Sequence, residues 1–347
     1  MRFLVFLLSL SAISLNAQEF SLGDARKVPE PKPDLPIYKY SPDGHCTLLR
    51  QGSSRMMFWP GEDSYRTTGT SVFDMKNCVK VLPMGSRGDY DNGGAWLYSV
   101  FQRGNGRLLG FYHAEDHRFP LSPASDVTAY KSIARCTSED SGLTWGNREQ
   151  ILTSHQPKPL MAFWSGLGDH CTVWDEKNRR YLCFFQENGR LCMAMSADPE
   201  GRPGSWRKWY KGGFTEPGLG GRATPIPSLA HHSGGNPSVL WNTFLGRWVM
   251  VWHRWEGDIW ISTSENLTDW SPPKLLLGQP SKAGKVWYPT LIGESDEVGG
   301  QSVSLLYAEF PDKNSPLRRF LTREIVFREN THKRNSTKGD GSCAASR

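Results

Sequence analysis

Hydrophobic residues in this chain come in short runs, and they do not follow the 3.6-residue period of an amphipathic helix. From residue 43 onward, runs of Val, Ile, Leu, Phe, Tyr and Trp are separated by Gly, Asn, Asp and Pro. This pattern is typical of many short antiparallel strands joined by tight turns. We therefore predict an all-β fold.

The runs repeat as a unit of three strands followed by a Trp that opens a fourth strand. Clear copies begin near residues 95, 171 and 238, and weaker copies begin near residues 46 and 289. A four-stranded unit of this length cannot bury its faces alone, so such units must stack on one another. The pattern predicts a five-bladed β-propeller of four-stranded antiparallel blades over residues 43–329. A β-sandwich is the rival fold, but it does not require a Trp at the same place in five copies.

The two ends of the chain differ from this body. Residues 1–17 combine Arg2, an apolar run and Ala17 ahead of polar residues, which is the pattern of a signal peptide. Residues 18–42 are rich in Pro and predict an extended lead-in, whereas residues 330–347 predict a disordered basic tail. A signal peptide directs export, and no apolar run is long enough to span a membrane. We therefore expect a secreted or periplasmic protein.

Composition and charge narrow the function classes. The net charge of +6 comes from 41 basic and 35 acidic residues, which is too dilute to indicate nucleic-acid binding. The seven Cys show no C-x-x-C or C-x-H spacing, so we predict no metal site and no cofactor. Several of these Cys lie inside apolar runs, where a free thiol packs as a small hydrophobic group.

One turn within the second repeat has a specific motif. Residues 138–145 read Ser-Glu-Asp-Ser-Gly-Leu-Thr-Trp, which matches the Asp-box pattern of sialidases and other propellers. Asp140 can accept hydrogen bonds from backbone amides, Gly142 can take a positive φ, and Trp145 can pack between blades. Because turn chemistry accounts for these residue types, we interpret the motif as a marker of the fold and not as a catalytic site.

Acidic, His and aromatic residues recur at one set of strand ends. In a propeller, the loops before the first strands and after the second strands open on the same face, so these residues converge at one mouth of the channel. There a carboxylic acid with a raised pKa can protonate a leaving oxygen, a second carboxylate can activate water, and aromatic rings can contact sugars. The predicted catalytic residues are Asp91, Asp169, Glu187 and Glu115. The predicted substrate-binding residues are His45, Asp116, His117, His170, Asn236, Arg254, Trp287, Tyr288 and Glu309.

With these acidic strand starts and the run Asn-Pro-Ser-Val-Leu-Trp-Asn at residues 236–242, the chain resembles five-bladed β-propeller glycosidases such as glycoside hydrolase families 43, 32 and 117. In the family 43 pattern, an Asp that begins one blade is the base, an Asp that begins the next tunes pKa and orientation, and a Glu is the acid. The resemblance implies Asp91 and Asp169 for the first two roles, with Asp43 as a rival base. The candidates for the acid are Glu187, Glu115 and Glu216.

These observations predict a monomeric glycoside hydrolase that acts on a poly- or oligosaccharide. The alternative from another class is a carbohydrate-binding propeller without catalysis, which does not need two carboxylates roughly 5 to 10 Å apart across a pocket. A sialidase-like hydrolase is a secondary alternative, since the chain lacks an arginine triad signature near its N-terminus. A lyase or epimerase that uses His45, His117 or His170 as its base is a further alternative.

Overall fold

The computed structural model describes residues 19–29, 42–61, 63–122 and 128–328. The predicted signal peptide and basic tail lie outside the described residues, as does Cys343. The described part has β-strands as its regular secondary structure, apart from two short 3-10 segments at Gly104–Gly106 and Pro227–Leu229, which confirms the all-β prediction. It contains no helix with the length and apolarity needed to cross a membrane.

The strands are short and are numbered here in chain order. They are β1 (Phe20–Leu22), β2 (Arg26–Lys27), β3 (Thr47–Gln51), β4 (Ser54–Gly61), β5 (Asp63–Gly69), β6 (Lys76–Leu82), β7 (Gly94–Gln102), β8 (Leu108–Asp116), β9 (Tyr130–Ser138), β10 (Gly146–Leu152), β11 (Ser165–Asp175), β12 (Arg180–Glu187), β13 (Arg190–Ser196), β14 (Trp206–Tyr210), β15 (Gly213–Pro217), β16 (Gly235–Asn242), β17 (Arg247–His253), β18 (Ile259–Ser264), β19 (Lys274–Leu277), β20 (Lys285–Ile292), β21 (Val298–Gly299), β22 (Ser302–Phe310) and β23 (Arg319–Phe327).

The strands group into units that follow one another along the described chain, and within these units every pairing is antiparallel except that of β21 with β16. The first unit is β3 to β6, the second is β7 to β10, the third is β11 to β15, and the fourth is β16 to β19 with β21. The fifth combines β20, β22 and β23 with β1 and β2, so strands from both ends of the described chain share one sheet. A short parallel pairing of β11 with β9 joins the second and third units into one continuous sheet.

Hydrophobic clusters between neighbouring units hold the fold together. Four clusters join the first unit to the second, the second to the third, the third to the fourth, and the fourth to the fifth. A further cluster packs Leu48 and Trp59 of the first unit against Ile292 and Leu306 of the fifth. Because burial of these apolar faces needs a neighbour on each side, the units form a ring, and they are called blades 1 to 5 below.

Side-chain hydroxyls on the inner strands bind the backbone of the next blade. Ser238 Oγ accepts a hydrogen bond from Leu291 N–H at 2.9 Å, which joins blade 4 to blade 5. Thr290 Oγ1 accepts one from Cys46 N–H at 3.0 Å, which joins blade 5 to blade 1. Both bonds are buried, and a buried amide without a partner would cost free energy, so they fix the inner strands around the channel.

β-Bulges at the start of the inner strands determine which residues face the mouth of the channel. In β11 the pairing with β12 shifts between Gly168 and Cys171, and Asp169 between them has a φ of 51°. The same irregularity gives Asn236 in β16 and Tyr288 in β20 φ values of 49° and 57°. Residues other than glycine rarely adopt a positive φ, and those that do often cluster at functional sites.

The turn between β9 and β10 has the hydrogen bonds that its sequence indicates. Asp140 Oδ1 accepts a hydrogen bond from Thr144 N–H at 2.9 Å, and Gly142 has a φ of 81°. Trp145 packs edge-on against Phe58 of blade 1, with ring centroids 5.8 Å apart. The hydrogen bonds from Thr144 lower the pKa of Asp140 to about 2. These contacts support a structural role for this turn.

Five cysteines of the described residues are buried free thiols, and Cys78 is buried as well. The five are Cys46, Cys136, Cys171, Cys183 and Cys192. Burial raises the pKa of the thiols of Cys46 and Cys136, so these groups stay protonated. Protonated buried thiols pack as hydrophobic groups, which matches their positions inside the apolar runs.

Candidate active site

A cavity of about 800 Å³ opens at one mouth of the ring. Residues from all five blades or from the loops that precede them contribute to its lining. Of the residues predicted from the sequence, those that line the cavity are Glu115, Asp169, His117, Asn236, Trp287 and Tyr288, together with the rival base Asp43. The structure therefore brings together residues that are almost 250 positions apart in the chain.

Glu115, at the end of β8, lies between two imidazoles. His113 Nε2 is 3.0 Å from Glu115 Oε1, and His117 Nε2 is 2.7 Å from Glu115 Oε2. The Nδ1 atom of His113 accepts a hydrogen bond from Asp169 N–H at 2.9 Å, so the ring donates to Glu115 through Nε2–H. Burial alone would raise the pKa of Glu115, but the hydrogen bonds from the two imidazoles outweigh it and lower the pKa to about 2. Glu115 is therefore a carboxylate at neutral pH.

Asp169 lies on the other side of His113. Its Oδ2 atom accepts a hydrogen bond from Lys131 Nζ at 3.0 Å, and its Oδ1 atom is 4.0 Å from His113 Nδ1. Lys131 Nζ also donates to Gln186 Oε1 at 3.1 Å. Burial alone would raise the pKa of Asp169, but the charge of Lys131 outweighs it and holds the pKa well below its ordinary value. The cavity thus contains a second ionised carboxylate.

Two glycines permit the close approach of backbone to imidazole in this site. A Cβ atom on Gly168 would lie 2.2 Å from His113 Nδ1, so a larger residue would push blade 3 away from His113. A Cβ atom on Gly93 would lie 2.1 Å from His117 Cγ. Both glycines are needed for space next to the side chains that bind Glu115.

Aromatic rings form two groups in the cavity lining, each called a wall here, and Tyr98 adds a further ring. One wall contains Trp255 and Trp287, whose rings meet edge to face with centroids 5.8 Å apart. The other wall contains Phe163 and Trp164, in the segment that precedes β11. Tyr98 is buried and stacks on His113 with centroids 5.7 Å apart, so it supports the imidazole that contacts both carboxylates.

Buried imidazoles lie behind this lining. His45 and His170, both predicted as substrate-binding residues, are fully buried next to Tyr98 and are not part of the cavity wall. His253 is also fully buried and stacks on Trp287. Burial lowers the pKa of His45 and of His253 to about 3, and it lowers the pKa of His170 well below its ordinary value. The three rings are therefore neutral at physiological pH.

Two of the predicted catalytic residues lie outside the cavity lining. Asp91 accepts a hydrogen bond from Tyr112 Oη at 3.0 Å and forms an ion pair with Arg148 at 3.1 Å. Glu187 accepts a hydrogen bond from Ser154 Oγ at 2.6 Å. Neither carboxylate lines the cavity, so neither is included in the candidate site.

Three predicted substrate-binding residues and one acid candidate also lie elsewhere. Each of these three substrate-binding candidates has a partner of opposite charge. The acid candidate, Glu216, accepts a hydrogen bond from a backbone amide. The pairs are Asp116 with Lys158, Arg254 with Asp258, Glu309 with Arg319, and Glu216 with Arg222 N–H. None of these four residues is in the cavity lining.

Sequence reasoning missed several residues of the lining. His113, Lys131, Tyr98 and Gln186 lie within strands, whereas the prediction considered the loops at strand ends. The alternation of side chains along a strand was an available signal, because His113 stands two residues before Glu115 on β8 and must point to the same face.

Among the described residues, no three His, Cys, Asp or Glu side chains are grouped as ligands for a metal ion.

Comparison with known proteins finds similar folds among solved structures and no match by sequence. No protein-family model and no curated protein sequence matches this chain. Similar solved structures include Zg3597, a family 117 glycoside hydrolase from the marine bacterium Zobellia galactanivorans, with a TM-score of 0.57 and 9% identity over 89% of this chain and 90% of that chain. The fold is that of the β-propeller glycoside hydrolases.

Two further solved structures agree with this assignment of the fold. The catalytic domain of the Coprinopsis cinerea GH62 α-L-arabinofuranosidase has a TM-score of 0.51 and 12% identity over 89% of this chain and 96% of that chain. The Cellvibrio cellulosa α-L-arabinanase has a TM-score of 0.51 and 12% identity over 81% of this chain and 91% of that chain. The resemblance in fold predicted from the sequence is confirmed, and at these identities the likeness concerns the fold alone.

Proposed function

We propose that the protein is a glycoside hydrolase that cleaves a poly- or oligosaccharide at the mouth of the propeller. The observation that carries the proposal is the pair of ionised carboxylates, Glu115 and Asp169, held on the two sides of one imidazole in a cavity with aromatic walls. Hydrolysis of a glycosidic bond through an oxocarbenium-like transition state uses two such groups. Aromatic rings contact the C–H faces of sugars, as the walls of this cavity would.

The contacts through His113 limit the separation of the two carboxylates. Glu115 Oε1 is 3.0 Å from Nε2, and Asp169 Oδ1 is 4.0 Å from Nδ1. Together with the width of an imidazole ring, these contacts allow at most about 9 Å between the two oxygens, which is within the range of carboxylate pairs in glycosidases. The limit supports a substrate shared by the two carboxylates.

The proton donor for the leaving oxygen must be another group, because the low pKa values leave both carboxylates ionised. We assign this role to His117, which lines the cavity and is bonded through Nε2 to Glu115. A protonated His117 would form an ion pair with Glu115 and could pass its proton to the leaving oxygen. Asp169, or the rival base Asp43, would then activate the attacking water.

The charges around the cavity favour a neutral glycan. Glu115, Asp169 and Asp43 are acidic, and the neighbouring cations Lys131 and Arg318 are already paired with two of them. A uronate or sialic acid would bring a further carboxylate to this acidic surface, and like charges repel. This distribution weighs against a sialidase-like activity.

The proposal is tested by release of reducing ends from a panel of neutral polysaccharides that includes arabinan and galactan. We expect Glu115→Gln and Asp169→Asn each to lower kcat by about 100-fold or more, while the circular dichroism spectrum stays the same. The matched control is Glu176→Gln, which changes a 77% exposed carboxylate at the β11–β12 turn. Activity that survives both changes in the cavity would refute this site.

A carbohydrate-binding propeller without catalysis is the second candidate. The observation that favours it is that both oxygens of Glu115 are engaged by imidazoles, which leaves neither oxygen without a partner. Such a protein would bind members of the panel in calorimetry and would release no reducing ends from any of them.

We also propose that the protein is exported, on the basis of the pattern in residues 1–17. Mass spectrometry of the protein recovered from its native host provides the test. A mature N-terminus at Gln18 in an extracytoplasmic fraction is the expected result, and an uncleaved chain that stays in the cytoplasm would contradict it.

A further inference from the structure

We propose that Phe163 and Trp164 form a second sugar-binding subsite, so that the cavity takes a chain of several sugar residues. The inference rests on the proposed binding of carbohydrate at this site, and it specifies the substrate class as an oligosaccharide or a polysaccharide end. It concerns the outer part of the cavity, whereas Glu115 and Asp169 lie in the inner part.

The exposure of the two rings is the first observation. Both line the cavity, yet Phe163 is 67% exposed and Trp164 is 51% exposed. Glu115, in contrast, is only 9% exposed, so the two rings stand at the outer rim while the carboxylate is deep. Adjacent large apolar side chains that bury so little surface are typical of binding sites.

The backbone that carries the two rings is fixed on both sides. Before them, Ala162 N–H donates to Ser122 Oγ at 2.7 Å, and after them Ser165 N–H donates to the Ala129 carbonyl at 3.0 Å. Next, Gly166 packs so closely on β9 that a Cβ atom there would lie 2.1 Å from the Lys131 carbonyl oxygen. A segment held in this way presents its rings at a low entropic cost to a ligand.

The size and chemistry of the cavity identify the occupant as a sugar chain. Its volume of about 800 Å³ lies near the upper end of the range for drug-sized ligands, which is more than a single monosaccharide needs. The Phe163 and Trp164 wall stands in the same lining as the amide side chains of Gln186 and Asn188. Flat apolar faces beside amide groups suit the C–H faces and hydroxyls of sugars. A protein seated on this wall would instead close the mouth of the cavity.

The test is the dependence of affinity on chain length. Arabinose and galactose oligomers, from the monosaccharide upward, are titrated by calorimetry into the Glu115→Gln protein, so that binding is measured without hydrolysis. We expect roughly tenfold tighter binding once the chain is long enough to reach the rim. Trp164→Ala removes this gain and leaves the monosaccharide affinity unchanged, whereas Trp164→Phe keeps most of the gain.

The control variant is Leu275→Ala, which removes an apolar side chain of similar exposure, 50%, from β19. We expect it to leave every affinity unchanged. Equal losses for short and long glycans in Trp164→Ala, or affinities in the parent protein that do not change with length, would overturn the proposal. A dimer in light scattering that Trp164→Ala converts to a monomer would assign the rings to self-association instead.

These outcomes are separate from those of the proposed hydrolysis. A protein that binds longer chains more tightly but releases no reducing ends keeps the subsite and loses the catalytic proposal. A protein that hydrolyses glycans with no preference for length keeps the catalytic proposal and loses the subsite.

Discussion

The buried imidazole of His45 makes a sharp prediction about stability and pH. The ring is fully buried against Tyr98, neither of its nitrogens has a hydrogen-bond partner among the described residues, and burial lowers its pKa to about 3. In the unfolded chain the same imidazole titrates near about 6.5. Below that pH His45 is protonated in the unfolded state but stays neutral in the folded state, so acid stabilises the unfolded state.

The size of the effect follows from the two pKa values. The folded protein loses about 1.4 kcal/mol for each pH unit below the unfolded pKa, until the pH reaches the folded pKa. Between neutral pH and pH 5, His45 therefore accounts for a loss of about 2 kcal/mol. His170 and His253 act with the same sign, whereas Asp296, whose pKa burial raises to about 6, acts with the opposite sign. For this reason the contribution of His45 is seen only in a difference between variants.

The assay compares urea unfolding of the parent protein and of His45→Phe at neutral pH and at pH 5. We expect the parent to lose about 2 kcal/mol more than the variant between these conditions, because Phe cannot take up the proton. Any change in packing caused by Phe is present at both pH values and cancels. His231→Phe, at an exposed position, controls for the loss of an imidazole as such. Identical pH dependence of the parent and of His45→Phe would refute the reasoning.

Asp140→Ala removes the acceptor of the Thr144 N–H, so we expect the free energy of unfolding to fall by about 1 to 2 kcal/mol while kcat stays unchanged. A loss of kcat would contradict the structural role of this turn. Lys131→Met removes the cation that helps to lower the pKa of Asp169, so we expect the acidic limb of the plot of kcat/KM against pH to move to higher pH. An acidic limb that stays in place would show that Asp169 does not control it. Because Cys46, Cys136, Cys171, Cys183 and Cys192 are buried free thiols, we expect a thiol-alkylating reagent to label them only after unfolding. Labelling of these five thiols in the native protein, measured by peptide mass spectrometry, would contradict their burial.

The sequence was sufficient to predict the strands and their repetition. Inner strands expected to begin near residues 95, 171 and 238 correspond to β7, β11 and β16, because apolar runs and turn residues are local signals. The pairing of β1 with β23 was less accessible. A three-residue strand inside the predicted lead-in carries no local signal, and its partner is about 300 residues away.

The candidate site was only partly predictable because side chains alternate along a strand. Gln186 lines the cavity, while its neighbour Glu187 points to Ser154, and the sequence does not say which of the two faces inward. The bulge at Asp169 adds an extra residue to β11 and changes this alternation, which places Asp169 in the cavity and His170 behind it. A pattern of strand starts therefore predicts that these residues meet at one mouth of the ring, but not which of their side chains line the cavity.

The membership of β1 in the last blade has a consequence for how the protein reaches its native state. β1 is made before every other described strand, yet its partner β23 is the last of them to be synthesised. Its native pairing must therefore wait until the rest of the ring exists, and long-range pairing of this kind slows folding. Until then the outer edge of β23 is open, so a chaperone that shields this strand would protect the newly made protein from edge-to-edge association.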